Sequence, residues 1–412
     1  MDTSPFLPYG RQQISEDDIR AVSDVLRSDW LTQGPAVPAF EDALADRLGA
    51  DEVVACSSGT AALHLAMLSL GLGPGDAVVT SPITFVASAN CARYVGAEVI
   101  FADVDPSTGL IDPESVAFIL DGDRERKIKA IIPVHLAGQP ADLAALADLA
   151  QPRNICMIED ACHALGAEYT DDNLNHKIGG NLHCDLSVFS FHPVKHVATG
   201  EGGAVSTAHP ELAERMRRFR NHGLSRESTL NEDLALSPEG QRNPWYYEMD
   251  EPGYNYRLTD IQAALGIQQL KQLSLSLERR REIAARYRSL IKEMFADGAV
   301  TPLTVRPGVF HAYHLFVVRI DFDRLGVSRA TVMNRLRSRG IGTQVHYIPV
   351  HLQPYYRRLC GTAPGSFPQA ELYYQQALSL PMYPGLTVSD VTRVVEELAG
   401  ALERKPQSVS VR

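Results

Sequence analysis

Short apolar runs alternating with helical patterns most restrict the folds open to this chain. Residues 53–56, 77–80, 98–104, 130–134, 155–158, 186–191 and 204–207 read as strands, and most are apolar throughout. Strands of that kind need cover on both faces, which predicts a largely parallel sheet between helix layers, an α/β fold. The intervening patterns supply the helices. Ser15-Glu16-Asp17-Asp18 forms a capping box ahead of Ile19, Val22 and Leu26 at helical spacing. Val37, Phe40, Leu44 and Leu48 mark a second helix, and 61–70 is an Ala/Leu-rich third.

Beyond residue 220 the character changes. The span 221–256 is polar, holds Pro244 and the aromatic group Trp245-Tyr246-Tyr247, and reads as a long functional excursion. A helical pattern follows over 259–290, with a charge-dense, solvated stretch at 278–282. Strands at 315–320 and 344–347 and helices at 328–339 and 389–402 predict a second, smaller α/β domain. The expected division is residues 1–260 for the large domain and 261–412 for the connecting helix and small domain, with a frayed polar tail at 405–412.

Composition narrows the function. A net charge of −11 over 412 residues does not suit nucleic acid or an anionic bilayer. No apolar run reaches the ~18 residues of a membrane span. The start Met1-Asp2-Thr3-Ser4-Pro5-Phe6 has no secretory pattern, so a soluble cytoplasmic protein is expected. Six scattered cysteines suggest reduced, mostly buried thiols, and thirteen histidines show no metal-ligand spacing, so no metal is expected.

Three segments hung on the sheet carry chemistry. Ser58-Gly59-Thr60 lies between a strand and a helix N-terminus, where free amides and the helix dipole favour phosphate; such turns are also common in α/β proteins without a ligand. Glu159-Asp160 closes an apolar strand, where a carboxylate can hold a positive charge on a ligand ring or cap the next helix. The stretch Ser190-Phe191-His192-Pro193-Val194-Lys195-His196 leads into Gly200-Glu201-Gly202-Gly203 and places one lysine between two strands. Burial and a nearby cation would lower its pKa toward the neutral amine that a Schiff base requires. Pyridoxal phosphate (PLP) unites the three: it needs a lysine, a carboxylate at the ring nitrogen and a phosphate cup. Phe85 could stack on the ring, although its pattern is equally that of a core residue.

Those segments, with Leu31-Thr32-Gln33-Gly34-Pro35, Ser58 through Ala66, Glu159-Asp160-Ala161, Arg220-Asn221-His222-Gly223, Gly253-Tyr254-Asn255-Tyr256-Arg257, Asp260 through Gly266 and His351-Leu352-Gln353-Pro354, resemble the DegT/DnrJ/EryC1/StrS sugar-nucleotide aminotransferases. The resemblance runs from Leu31 to about Pro384. It implies the fold-type I PLP architecture, with a large domain built on a mostly parallel sheet, and a homodimer with shared active sites. It assigns the imine to Lys195, the ring nitrogen to Asp160 and the ring stack to Phe85. Phosphate contacts fall to Gly59, Thr60 and Ser190, with Asn255 from the neighbouring subunit, and His163 stands beside the phenolic oxygen, where many members have Gln.

Further motifs, among them Ala161-Cys162-His163-Ala164, Trp245-Tyr246-Tyr247-Glu248 and Val345-His346-Tyr347-Ile348-Pro349, resemble the branch of the family that serves pseudaminic acid biosynthesis. That likeness implies a UDP-linked 4-keto-6-deoxy-N-acetylhexosamine as amino acceptor and L-glutamate as donor. Substrate contacts would then fall on Tyr9, Trp30, Leu31, Thr32, Ser190, Asn255, His346 and Tyr347. The alternatives are an aminotransferase for another keto-sugar nucleotide (GDP-perosamine or dTDP-amino sugar type), a PLP sugar dehydratase, which Lys195 argues against, or a non-catalytic regulator. His192, His196 and His351 are left without assigned roles.

Overall fold

A computed structural model of the chain describes residues 5–226 and 231–403; the tail expected at 405–412 lies outside them. The strands of the large sheet and its flanking hairpin are β1 (Glu52–Cys56), β2 (Ala77–Thr80), β3 (Glu98–Phe101), β4 (Ile128–Ile132), β5 (Cys156–Asp160), β6 (Glu168–Asp171), β7 (Leu174–Lys177), β8 (Leu186–Ser190) and β9 (Gly203–Thr207). Seven of them form one sheet in the order β1-β9-β8-β5-β4-β2-β3. Only β9 runs against its neighbours. Residues 191–202 return from β8 to β9 without a crossover helix, and such a connection permits only an antiparallel pair.

The pleat splits β1 between two cores. Val53 and Ala55 join Val79, Ile131, Met157 and Phe189 against Phe40, Leu44 and Leu48 of α2 (Ala36–Leu48). Val54 and Cys56 join Val78, Ile132, Ile158 and Val188 against Ala62 and Leu65 of α3 (Gly59–Ser69) and Ala92 of α4 (Ala87–Tyr94). Both faces are therefore covered, as the apolar runs predict.

Register brings three distant segments together at one edge. Cys56 at the end of β1 and Ser190 at the end of β8 both lie opposite Gly203, and Asp160 at the end of β5 lies beside Val188. The helix Asp260–Met294, capped by Thr259 and Gln262, follows the sheet. Its first half joins the core on the α2 face through Ala263, Leu270 and Leu277. Its second half packs Ile283, Tyr287 and Ile291 into a separate core. The antiparallel strands Val300–Pro302, Phe316–Ile320 and Ala377–Leu380 and the helices Arg329–Ser338 and Val388–Ala401 contribute to that second core.

Several expectations need correction. In α1 (Glu16–Leu26) the capping box forms, but Ile19 and Leu26 are exposed and Asp18 is the buried residue. Its carboxylate accepts from the Ser15 backbone and from Gln269 Nε2, so the capped face turns toward the long helix and the apolar one outward. Residues 344–347 are not a strand: only Gln344 bridges to Ser379, and His346-Tyr347 is a cis peptide. The β6–β7 hairpin was not foreseen, because its strands are polar; its turn signal is Asp172-Asn173, both at positive φ. Within 221–256, the described part holds the two-residue strands Leu224–Ser225 and Glu248–Met249 and the helical turn Glu232–Ala235.

Candidate active site

The sheet edge opens into a cavity of about 630 Å³. One wall is the start of α3. Ser58 has extended backbone and its hydroxyl accepts from the Ala61 amide at 3.1 Å, leaving the first-turn amides of Gly59 and Thr60 at the helix N-terminus. Two glycines make this cradle. A Cβ on Gly59 would lie 2.9 Å from Ser190 Cβ, and one on Gly203 would lie 2.4 Å from the Ser58 carbonyl carbon. Within the Gly-Glu-Gly-Gly turn, Gly203 therefore lets β9 lie directly against the cradle.

Asp160, buried at the end of β5, faces the same space. Ser88 of α4 donates to its Oδ2 at 2.5 Å, and the Cys162 amide donates to its Oδ1 at 3.2 Å. Ser88 in turn is 2.7 Å from the Thr84 hydroxyl. Two donors on separate oxygens fix the carboxylate plane, and hydrogen bonds to a charged group are the strong ones. Sequence reading missed Ser88; it lies 72 residues from Asp160, and nothing local marks it.

Lys195 is half-buried in the loop after β8, its amide donating to the His192 carbonyl at 2.8 Å. Desolvation pushes its amine below the ordinary lysine range, while the Cys162 thiol and Asp160 work in the opposite direction. Four buried imidazoles surround it. Burial pushes His163, His196 and His314 well below the ordinary histidine value, and His346 to about 3, with the Lys195 charge adding to each. All four are neutral near pH 7. His163 Nε2 lies 3.1 Å from the Tyr347 hydroxyl, and its ring lies 4.3 Å from that of His314. Its buried Nδ1 has no partner among the described residues. His314, unforeseen from sequence, is fixed by the Leu136–Gly138 turn, where a Cβ on Gly138 would stand 2.8 Å from the His163 carbonyl oxygen and 3.0 Å from the His314 amide.

Ten of the expected site residues line this one cavity: Tyr9, Gly59, Thr60, Phe85, Asp160, His163, Ser190, Lys195, His346 and Tyr347. Phe85 is 57% exposed, so it is a wall and not core. Trp30, Leu31, Thr32 and Asn255 do not line it; all four are exposed on their own chain, and Asn255 bridges to Asn221 through its backbone. Of the unassigned histidines, His192 lines the cavity and His196 binds the His163 carbonyl at 3.2 Å. His351 is fully buried elsewhere, 3.1 Å from Glu371 Oε1.

The cradle is sterically open only without a Cβ, Asp160 is held by two donors, and His163 Nδ1 lacks a partner among the described residues. These features fit a phosphorylated, basic aromatic ring with a polar substituent.

Comparison with known proteins agrees. The profile of the DegT/DnrJ/EryC1/StrS aminotransferase family matches residues 12–399. The chain is 40% identical over 392 residues to the spore coat polysaccharide biosynthesis protein SpsC of Bacillus subtilis, covering 95% of this chain and 96% of that one. It is 38% identical over 408 residues to the UDP-4-amino-4-deoxy-L-arabinose–oxoglutarate aminotransferase of Shewanella sediminis, covering 98% and 100%. The solved structure of Helicobacter pylori PseC, an aminotransferase involved in the biosynthesis of pseudaminic acid, superposes with a TM-score of 0.85 at 30% identity, covering 97% of this chain and 99% of that one. The architecture is the fold-type I aminotransferase fold, and the chain belongs to the DegT/DnrJ/EryC1/StrS family of PLP-dependent sugar aminotransferases.

Proposed function

We propose that this enzyme moves the amino group of L-glutamate to C4 of a UDP-linked 4-keto-6-deoxy-N-acetylhexosamine, the type of reaction that the resemblance to the pseudaminic acid branch implies. The observation that carries the reading is the placement of Lys195, its amine depressed by burial, in one cavity with the doubly held Asp160 and the α3 cradle. PLP bound there supplies a carbonyl that condenses with amines and a ring that withdraws electrons. Gly59, Thr60 and Ser190 would hold its phosphate, Phe85 would pack against its ring, and His163 Nδ1 would hydrogen-bond its polar ring substituent. Asp160 keeps a proton on the ring nitrogen. Lys195 would anchor the cofactor, and its Nζ would take the proton from Cα of glutamate and later deliver one at C4 of the sugar.

Tyr9, His346 and Tyr347 are placed to contact the sugar nucleotide. Trp30, Leu31, Thr32 and Asn255 serve the neighbouring subunit's cavity in a homodimer. Ile14, Ile19, Leu26, Trp30 and Leu31 are exposed on their own chain and would be covered in that assembly. Among the described residues no helix is long and apolar enough to cross a membrane, and we place the reaction in the cytoplasm, where UDP-sugars are made.

A second acceptor, a UDP-linked 4-keto pentose, is favoured by the similarity to the Shewanella arabinose aminotransferase. Incubating the PLP-loaded protein and L-glutamate with a panel of 4-keto sugar nucleotides decides between them, reading products by mass and NMR. Amination of the N-acetylhexosamine above all others is expected; preference for the pentose would replace the first reading with the second.

A further inference from the structure

A second cavity, of about 260 Å³, lies among the N-terminal segment, the loop carrying Lys195 and the helix Asp260–Met294. Lys195 lines both this cavity and the one described above. In a chain of net charge −11, its walls carry Arg11, Lys195, Arg279 and Arg280 and no aspartate or glutamate. Arg279 is paired at the rim with Glu282 at 2.6 Å. Arg280 is not paired in this way. It is 3% exposed, its Nη1 donates to the carbonyls of Tyr313 and Met382 at 3.0 and 3.2 Å, and among the described residues it forms no ion pair. The same Nη1 also lies 3.4 Å from the His314 carbonyl, but the buried Nε has no partner among the described residues, and neither has Nδ1 of His196, a 7% exposed residue on the same wall. A buried cation without a counter-charge is costly, and an anion among such groups removes most of that cost.

We propose that this second cavity, beside Lys195, binds a small dianion, a dicarboxylate or a tetrahedral oxyanion, against Arg280, Arg279 and Arg11. The groups already facing Lys195 are Asp160, Cys162, His163, His196, His314 and His346. A dianion in the second cavity joins Asp160 in favouring the charged amine and so restrains the chemistry of Lys195. That consequence rests on the proposed role of Lys195; the binding itself does not.

Calorimetric titration of the PLP-loaded protein with sodium succinate and with sodium sulfate tests the site. One dianion per chain is expected, bound at least ten-fold more weakly by Arg11→Gln/Arg279→Gln and equally well by Tyr347→Phe, which alters only the first cavity. Tighter succinate assigns a dicarboxylate, and tighter sulfate an oxyanion. No binding, equal binding to wild type and the arginine variant, or loss in Tyr347→Phe alone would each overturn the proposal. Because binding is read directly, the result stands apart from whether any sugar nucleotide is aminated.

Discussion

Ser88 shows how a residue outside the reacting groups governs one within them. Its hydroxyl holds Asp160 Oδ2, and a hydrogen bond to a charged group contributes ~1.5–3 kcal/mol. Ser88→Ala should lower kcat by about 10-fold or more with little change in melting temperature, measurable by steady-state kinetics beside calorimetry. Histidines give a second prediction at this scale. His163, His196, His314 and His346 are held neutral when folded, whereas an unfolded chain protonates them near pH 6.5. The folded pKa lies below the unfolded one, so the unfolded state binds more protons in between, and stability falls as pH drops below about 6.5, for His346 down to about 3. Each such group costs up to about 1.4 kcal/mol per pH unit in that window. Melting curves from pH 7 to 5 should show a steep decline, shallower in His346→Asn. Neither Ser88 nor His314 was legible in the sequence, because each acts across a long separation. The gathering of Lys195, Asp160 and Gly59 in one cavity was legible, because each closes or soon follows a strand of the sheet within a distinctive local pattern.

At the scale of elements, two glycines at the sheet edge do different work. A Cβ on Gly203 meets the Ser58 backbone, which cannot swing aside, so Gly203→Ala should destabilise the protein by about 1–3 kcal/mol in chemical denaturation. A Cβ on Gly59 meets the Ser190 side chain at the mouth of the cradle. Gly59→Ala should lower the denaturation midpoint too, because Ser190 Cβ is fixed to the end of β8, and should in addition weaken PLP binding about 10-fold or more, by fluorescence titration. The elements also show where sequence reading fails. The apolar strands of the sheet were readable because both of their faces are buried. The polar β6–β7 hairpin was not, and 344–347 resembled a strand because its aromatic residues line a cavity and not a sheet core. In α1 the apolar stripe is real but faces outward, since Asp18 ties the opposite face to Gln269.

For the whole molecule, the contrast between ten residues gathered in one cavity and four exposed elsewhere is what a shared site predicts. If Asn255 completes the partner's cavity, Lys195→Ala and Asn255→Ala homodimers should each be nearly inactive. Mixed and allowed to exchange, they should regain about a quarter of wild-type turnover, because half of the dimers are hybrids and each hybrid has one intact site. No recovery despite demonstrated exchange would place Asn255 in its own chain's machinery. The central claim is that nitrogen passes from glutamate to a keto sugar and that the transfer depends on the Lys195 amine. It is tested most directly with [15N]glutamate and the UDP-linked 4-keto-6-deoxy-N-acetylhexosamine, followed by NMR in wild type and Lys195→Ala. The label should appear at C4 of the sugar with one 2-oxoglutarate formed per label transferred, and in wild type alone. Unlabelled sugar beside accumulating 2-oxoglutarate, or equal transfer by Lys195→Ala, would contradict the account.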